Sequence, residues 1–382
     1  MRISLDKILY LIMVLFPLTT IIQGIPSFSF INTIMVGLMI VILSFFSLIE
    51  RQQRSTMIML FLSLFNYVLA YMLTDSSIFR INDLFYFPFW ILFLNYVSNH
   101  FLKIKSLLDH SYRINNFVLI SWNIIVFISL FFSSSYTHHW GEGTYFMSFS
   151  NGEHRFASSA FFIVVLALYM FLKTRKKKYF ILLIFPAISI FMSGARTYLA
   201  VLVGALFLFL YKRIKNKPLF YVICLLCGIL LFYLVMVSPM GEKMIYVMNP
   251  GDQSDLLNAL TSNRASFWSK QLNAFFSLNY IYLIFGAGFN FVYDVSNIWA
   301  HNDFINILLN FGFLGVFMYL YFYIILLKKN IQLYKIKKME SFICVMIWLF
   351  NAMFNMVYTY MCATLTLPFL YYLIMEEKYG DN

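Results

Sequence analysis

Charge is scarce in this chain. Only 12% of its 382 residues are Asp, Glu, Lys or Arg, whereas a soluble domain carries about 25%, which excludes an ordinary water-soluble fold. Cysteine is scarce too, at four. Cys224 and Cys227 form a CxxC, but inside an apolar run with no partner pair, and Cys344 and Cys362 lie in or beside apolar runs. That pattern excludes a disulfide framework and reads as small apolar packing residues. No outward-facing DxD or cluster of acidic residues offers ligands to a divalent cation, so neither a metal nor another cofactor is expected. Met1–Gly24 lacks a small-residue cleavage site and reads as a first membrane helix instead of a removable leader. Internal repeats, low-complexity linkers and soluble domains are also missing, which leaves one integral membrane domain over 1–382.

What is present is apolar: 62% hydrophobic residues, 20% aromatic, and a mean hydropathy of +0.78. Apolar runs of about 20 residues satisfy their backbone in a bilayer only as helices, so an all-α polytopic membrane protein follows. Spans are expected near 8–24, 29–49, 56–73, 84–102, 115–133, 156–172, 179–194, 196–211, 218–238, 303–327, 341–358 and 361–375. That makes about 12 transmembrane helices. With a cytoplasmic N-terminus, 22 of the 28 lysines and arginines fall in alternate, cytoplasmic connections, as the positive-inside rule requires. Both termini then face the cytoplasm of a cell whose cytoplasmic membrane holds the protein. The net charge of +12 is thereby a matter of topology and of contact with the lipid bilayer, and implies no nucleic-acid partner.

The six basic residues left outside are Arg80, Arg155, Arg196, Lys243, Arg264 and Lys270. Three of them lie in one long extracytoplasmic loop, 239–302, which is polar within an otherwise apolar sequence. Inside that loop the apolar island Tyr280–Phe291, broken at Gly286 and Gly288, is too short to span and reads as an interfacial or re-entrant piece. The other substantial outer loop, 134–155, mixes aromatic, histidine and acidic residues and suits sugar contact; its histidine spacing gives no metal signature.

Arg196 follows Ser193–Gly194 where the chain turns between two apolar runs, and a charge at that depth must be paired or line a wet cavity. Arg264 is expected in the first turn of a short amphipathic surface helix, capped by Ser262 or Asn263. His301 or Asn302 is expected to cap the next long span, whose N-terminus favours an anion.

These residues carry a resemblance. The SGAR turn opening a span, Arg264-x3-Trp268 in a long outer loop, the FGAGF segment and HNDFINILLNFGFLG together resemble the O-antigen polymerase/ligase family over roughly 185–325. The resemblance implies an architecture similar to the C-type glycosyltransferases. It also implies metal-independent transfer of glycan from a polyprenyl pyrophosphate-linked oligosaccharide at the outer face. Arg196 and Arg264 would engage the pyrophosphate and His301 would be the essential histidine. Asn302, Asp303 and Trp268 complete the expected substrate-binding set, with Asp303 the second candidate base. A flippase and a chain-length regulator of the same pathway are the protein partners implied.

Two further readings accompany that of a polymerase extending one repeat unit with another. A ligase of the same fold would move finished glycan to a different acceptor. A flippase or other transporter would show paired halves with matching broken helices and charges at mid-membrane; here the charge is gathered in one outer loop of the last third.

Overall fold

The computed structural model describes residues 4–49, 54–73, 81–138, 144–214, 216–238, 241, 264–288, 291–332 and 338–375. Most of the first half of the long loop, with Lys243, Ser262 and Asn263, lies outside the described residues, as do Arg80, His139 and Trp140. Each expected apolar run coincides with a helix. The first nine are α1 (Leu5–Ile22), α2 (Ser29–Ile49), α3 (Arg54–Leu73), α4 (Ile81–His110), α5 (Tyr112–Ser129), α6 (Glu153–Thr174), α7 (Lys177–Met192), α8 (Arg196–Arg213) and α9 (Lys217–Val237). Three short helices follow in the loop: α10 (Arg264–Phe276), α11 (Tyr280–Phe285) and α12 (Phe291–Ser296). The chain continues with α13 (Asp303–Gln332), α14 (Lys338–Phe354) and α15 (Met361–Met375). Among the described residues the one sheet is a hairpin of β1 (Tyr136–His138) and β2 (Thr144–Phe146).

Helix α6 is the centre of the packing. Phe156 through Met170 are buried without interruption, which means neighbours on every face. Its polar core residue Ser159 is fully satisfied: it accepts from Trp122 Nε1 at 2.8 Å and donates to the Pro17 carbonyl at 3.1 Å, joining α5, α6 and α1. Helix α9 is the opposite case. It is the most apolar of the long helices, yet of its side chains only Phe220 is buried. By length and composition five described helices can cross a membrane, α1, α2, α6, α9 and α13, and the apolar faces they leave outward are those a bilayer covers. The 22 residues of α6 rise about 33 Å, close to the ~30 Å of a hydrocarbon core. Near its C-terminal end, Asp109 at the end of α4 holds Lys173 at 3.0 Å and Lys105 at 3.3 Å.

Helix α13 is not the single straight rod that the apolar pattern suggests. Gly312 has φ 65° and ψ −167°, a conformation essentially reserved for glycine. The consequence is visible in one hydrogen bond: Tyr319 Oη donates to Asp303 Oδ2 at 2.7 Å although the two are 16 residues apart. In a straight helix that separation is about 24 Å, beyond the reach of both side chains. The arm 303–311 is therefore folded back along the arm 313–332, which keeps the ~20 residues a bilayer demands. The vertex is filled by the apolar island of the loop. Gly286, with φ 89° and ψ 162°, touches the vertex so closely that a Cβ there would lie 2.2 Å from the Asn310 carbonyl oxygen. Ala287 N–H donates to the Leu309 carbonyl across the same contact, at 2.8 Å.

Candidate active site at convergent helix N-termini

Five helices direct their N-terminal ends to one place. Helix α6 brings Glu153, His154 and Arg155 in its first turn; α8 begins with Arg196 and α10 with Arg264. The turn before α13 brings His301, and the turn before α15 brings Tyr360. The rings of His154 and His301 stand 5.7 Å apart, and His154 stacks on Tyr360 at 6.2 Å. His154 Nε2 lies 3.9 Å from Glu153 Oε1.

Arg264 donates from Nη1 to the Phe354 carbonyl oxygen at 2.7 Å, at the C-terminal end of α14. Burial pushes its guanidinium down to about 10, the field of Arg196 adds to that fall, and Tyr360 and Glu153 oppose it. Arg264 thus remains cationic at neutral pH while Arg196 is close enough to repel it. Burial likewise pushes the Tyr360 phenol up to about 12, with Arg155 and Arg264 resisting, so it stays protonated and able to donate. Three guanidinium groups therefore share this place with one half-buried carboxylate, Glu153.

The backbone adds to that positive field. Gly152 before α6 and Ala195 before α8 provide no side-chain cap; at α8 the Arg196 and Tyr198 N–H groups turn back to the carbonyls of Gly194 and Ala195, at 3.0 and 3.1 Å, and both helix starts contribute the partial positive charge of their dipoles. The α8 turn is held against the hairpin. Gly194 leaves room for the Tyr145 ring, and a Cβ there would fall 2.5 Å from it.

Asn302 is the cap of α13: its Oδ1 accepts from Ile305 N–H at 3.1 Å. His301 is instead the preceding residue, held at φ 47°, a left-handed conformation uncommon outside glycine. Asn302→Ala is expected to destabilise the protein by about 1 kcal/mol, read as a lowered melting temperature of the detergent-solubilised protein.

The other expected site residues are placed as supports. Trp268 Nε1 donates to the Ala300 carbonyl at 2.6 Å, and the buried Gln271 Nε2 donates to Ser296 Oγ at 2.6 Å and the Ile298 carbonyl at 3.1 Å. These bonds hold the segment that carries His301 to the face of α10. Asp303 is fully buried, and its Oδ2 accepts from Tyr319 Oη and from Tyr358 N–H at 3.3 Å. It closes the fold-back of α13 inside the protein and does not face the cluster's opening. Lys270 is exposed on α10.

Sequence reasoning passed over Tyr360 and gave Glu153 and His154 only as members of the outer loop 134–155. Their signal was weak: Tyr360 sits in a two-residue gap between apolar runs, and the other two seemed to close a loop where they in fact open α6. Among the described residues no group of three or more His, Cys, Asp or Glu could hold a metal ion. The arrangement can bind a multiply charged oxyanion through guanidinium groups at the positive ends of helices, with two imidazoles alongside for proton transfer. No protein-family model matches the chain, and no curated protein is similar to it.

Proposed function

We propose that the protein is a polysaccharide polymerase that transfers glycan from a polyprenyl pyrophosphate-linked oligosaccharide onto a second repeat unit at the outer face of the cytoplasmic membrane. The observation that carries this reading is the meeting of Arg196 and Arg264 at the positive N-terminal ends of α6 and α8, beside His301. In the reaction an acceptor hydroxyl oxygen forms a bond to the anomeric carbon of the donor. The bond from that carbon to the pyrophosphate oxygen breaks, and the electron pair leaves with the lipid pyrophosphate. His301 takes the hydroxyl proton, the task of a general base for which an imidazole is the commonest side chain. The arginines stabilise the charge that grows on the leaving pyrophosphate. Full burial of Asp303 favours His301 over it as the base.

The reading includes 12 spans with both termini cytoplasmic, so that the cluster opens outside. Cysteine replacing Lys270 is then expected to react with an impermeant thiol reagent in intact cells, and cysteine replacing Lys176 only after lysis. The reverse labelling would invert the topology and remove the chemistry from its substrate. In the same cells His301→Ala is expected to abolish polymer without lowering the amount of membrane-inserted protein. Polymer at the wild-type level in that variant would exclude His301 as the base.

A further inference from the structure

Helices α5 and α7 lie side by side, joined by pairs that advance together along both, so the two are parallel. Lys178 Nζ donates to Asn116 Oδ1 at 2.8 Å, Asn123 Nδ2 donates to the Leu182 carbonyl at 3.3 Å, and the rings of Phe127 and Phe185 stand 6.4 Å apart. Phe117, Ile120 and Ile124 of α5 are exposed, as are Ile181, Ile184 and Ile188 of α7. Measured from the pairing residues, the helical period turns both apolar stripes to the same side of the seam. They form a shallow groove with α6 behind it. One turn ahead of each stripe stands an exposed cation, Arg113 on α5 and Lys177 on α7, and Lys178 lies at the seam between the helices. The geometry points to this groove as the seat of one acidic phospholipid, its phosphate among Arg113, Lys177 and Lys178 and its chains along the two stripes.

Charge selects the headgroup. Among the described residues no carboxylate lies within salt-bridge reach of Arg113, Lys177 or Lys178. Asp109, the nearest acid along the chain, is already held by Lys173 at 3.0 Å and Lys105 at 3.3 Å. Three cations without an internal counterion call for an anion, and both guanidinium and ammonium groups bind phosphate. A zwitterionic phospholipid would bring its own cation to the same place, against the field of these three. A free phosphate or an acidic peptide would leave the exposed Phe and Ile stripes uncovered. An amphiphile with an anionic head matches both parts of the surface.

The cations are partly pre-set. Lys178 Nζ lies 4.9 Å from the centroid of the Tyr179 ring and 5.5 Å from that of Tyr112, and Lys176 Nζ lies 5.4 Å from Tyr112. These contacts restrict long side chains before a lipid arrives, which lowers the entropy lost on binding. The head of the groove is at the C-terminal end of α6, whose 22 residues put it about 33 Å from Glu153 and the arginine cluster. A lipid seated here is therefore separate from the donor, and the inference does not depend on the reading of that cluster. In the orientation proposed above, the groove lies in the cytoplasmic leaflet.

Native mass spectrometry of the purified full chain, titrated in detergent with phosphatidylglycerol or phosphatidylcholine, counts the lipid bound. Wild type is expected to take up phosphatidylglycerol saturably and to bind phosphatidylcholine at least ~10-fold more weakly. Each basic residue beside an anionic headgroup is worth about 5-fold in binding, so Arg113→Gln combined with Lys177→Gln should weaken phosphatidylglycerol roughly 25-fold. Both side chains are exposed, so the variant should fold, which a thermal melt in phosphatidylcholine nanodiscs checks. Lys217→Gln combined with Lys328→Gln removes the same charge from other helix ends and should leave the affinity unchanged. An equal loss in both double variants would overturn the site in favour of unspecific surface charge, as would equal binding of the two lipids by wild type. Displacement of the lipid by glycerol phosphate at the same concentration would overturn it in favour of a soluble phosphate.

Discussion

Arg264→Lys is expected to lower polymer formation by roughly 10²–10³-fold in a protein that still inserts and folds. The substitution keeps one positive charge, so a loss of that size isolates geometry from charge. A guanidinium presents a planar fork that can bind two phosphate oxygens while keeping a third N–H for another acceptor; an ammonium is a compact point charge. Arg264 already commits Nη1 to the Phe354 carbonyl, and lysine could satisfy that carbonyl or a phosphate, but not both from the same position. Removing one preorganised donor from an electrostatic site costs about 10²–10³ in rate elsewhere. Arg196→Lys should behave in the same way, and alanine at either position should be worse. Lys270→Ala is the control, since that residue is exposed on the outer surface of the same helix. Polymer yield per unit of membrane protein, from cells lacking the native copy, is the measurement. A lysine variant as active as the control would show that net charge alone suffices.

The second large effect is structural. Gly286→Ala and Gly312→Ala are each expected to destabilise the protein by about 2–4 kcal/mol. Both residues hold backbone conformations that cost any other residue roughly 1–3 kcal/mol, and neither has space for a methyl group. A Cβ at Gly312 would lie 2.2 Å from the Ile284 carbonyl oxygen, and one at Gly286 would lie 2.2 Å from that of Asn310. Both are main-chain atoms that cannot turn aside, so overpacking adds to the strain. The two glycines set the fold-back of α13, and the fold-back sets Asp303 against Tyr319 and Tyr358. Opening it would carry His301 away from His154. Activity should thus fall further than the amount of folded protein, and a thermal melt recorded beside an activity assay separates the two. Wild-type melting in both variants would contradict the interlock.

The contrast between α6 and α13 explains what the sequence could convey. Long apolar runs disclosed their helices because a bilayer leaves the backbone no other way to satisfy itself. Arg196 and Arg264 stood out because cations are expensive on that side and at that depth; the structure places both at helix starts and near each other. The fold-back at Gly312 was hidden, since Asn-Phe-Gly-Phe-Leu-Gly reads as ordinary apolar helix until a partner such as Gly286 presses on it. The burial of Asp303 was hidden with it, because its hydrogen-bond donor is 16 residues further along the same helix. Tyr360 was invisible for a different reason. A lone tyrosine between two apolar runs gains meaning only from neighbours at 153–155, 264 and 301, and periodicity carries no information about contacts between such distant segments.

The most direct measurement uses purified protein, its own lipid-linked repeat unit and no other enzyme, in buffer containing excess EDTA at constant ionic strength. A ladder of products, each one repeat unit longer than the last, is the expected result, with release of polyprenyl pyrophosphate in equal amount and with no ladder from Arg264→Ala or His301→Ala. A ladder that needs added Mg²⁺ or Mn²⁺ would contradict the role of the arginines as the groups that carry the leaving pyrophosphate. Absence of any elongated product with or without metal, from folded protein that binds the substrate, would contradict polymerisation itself.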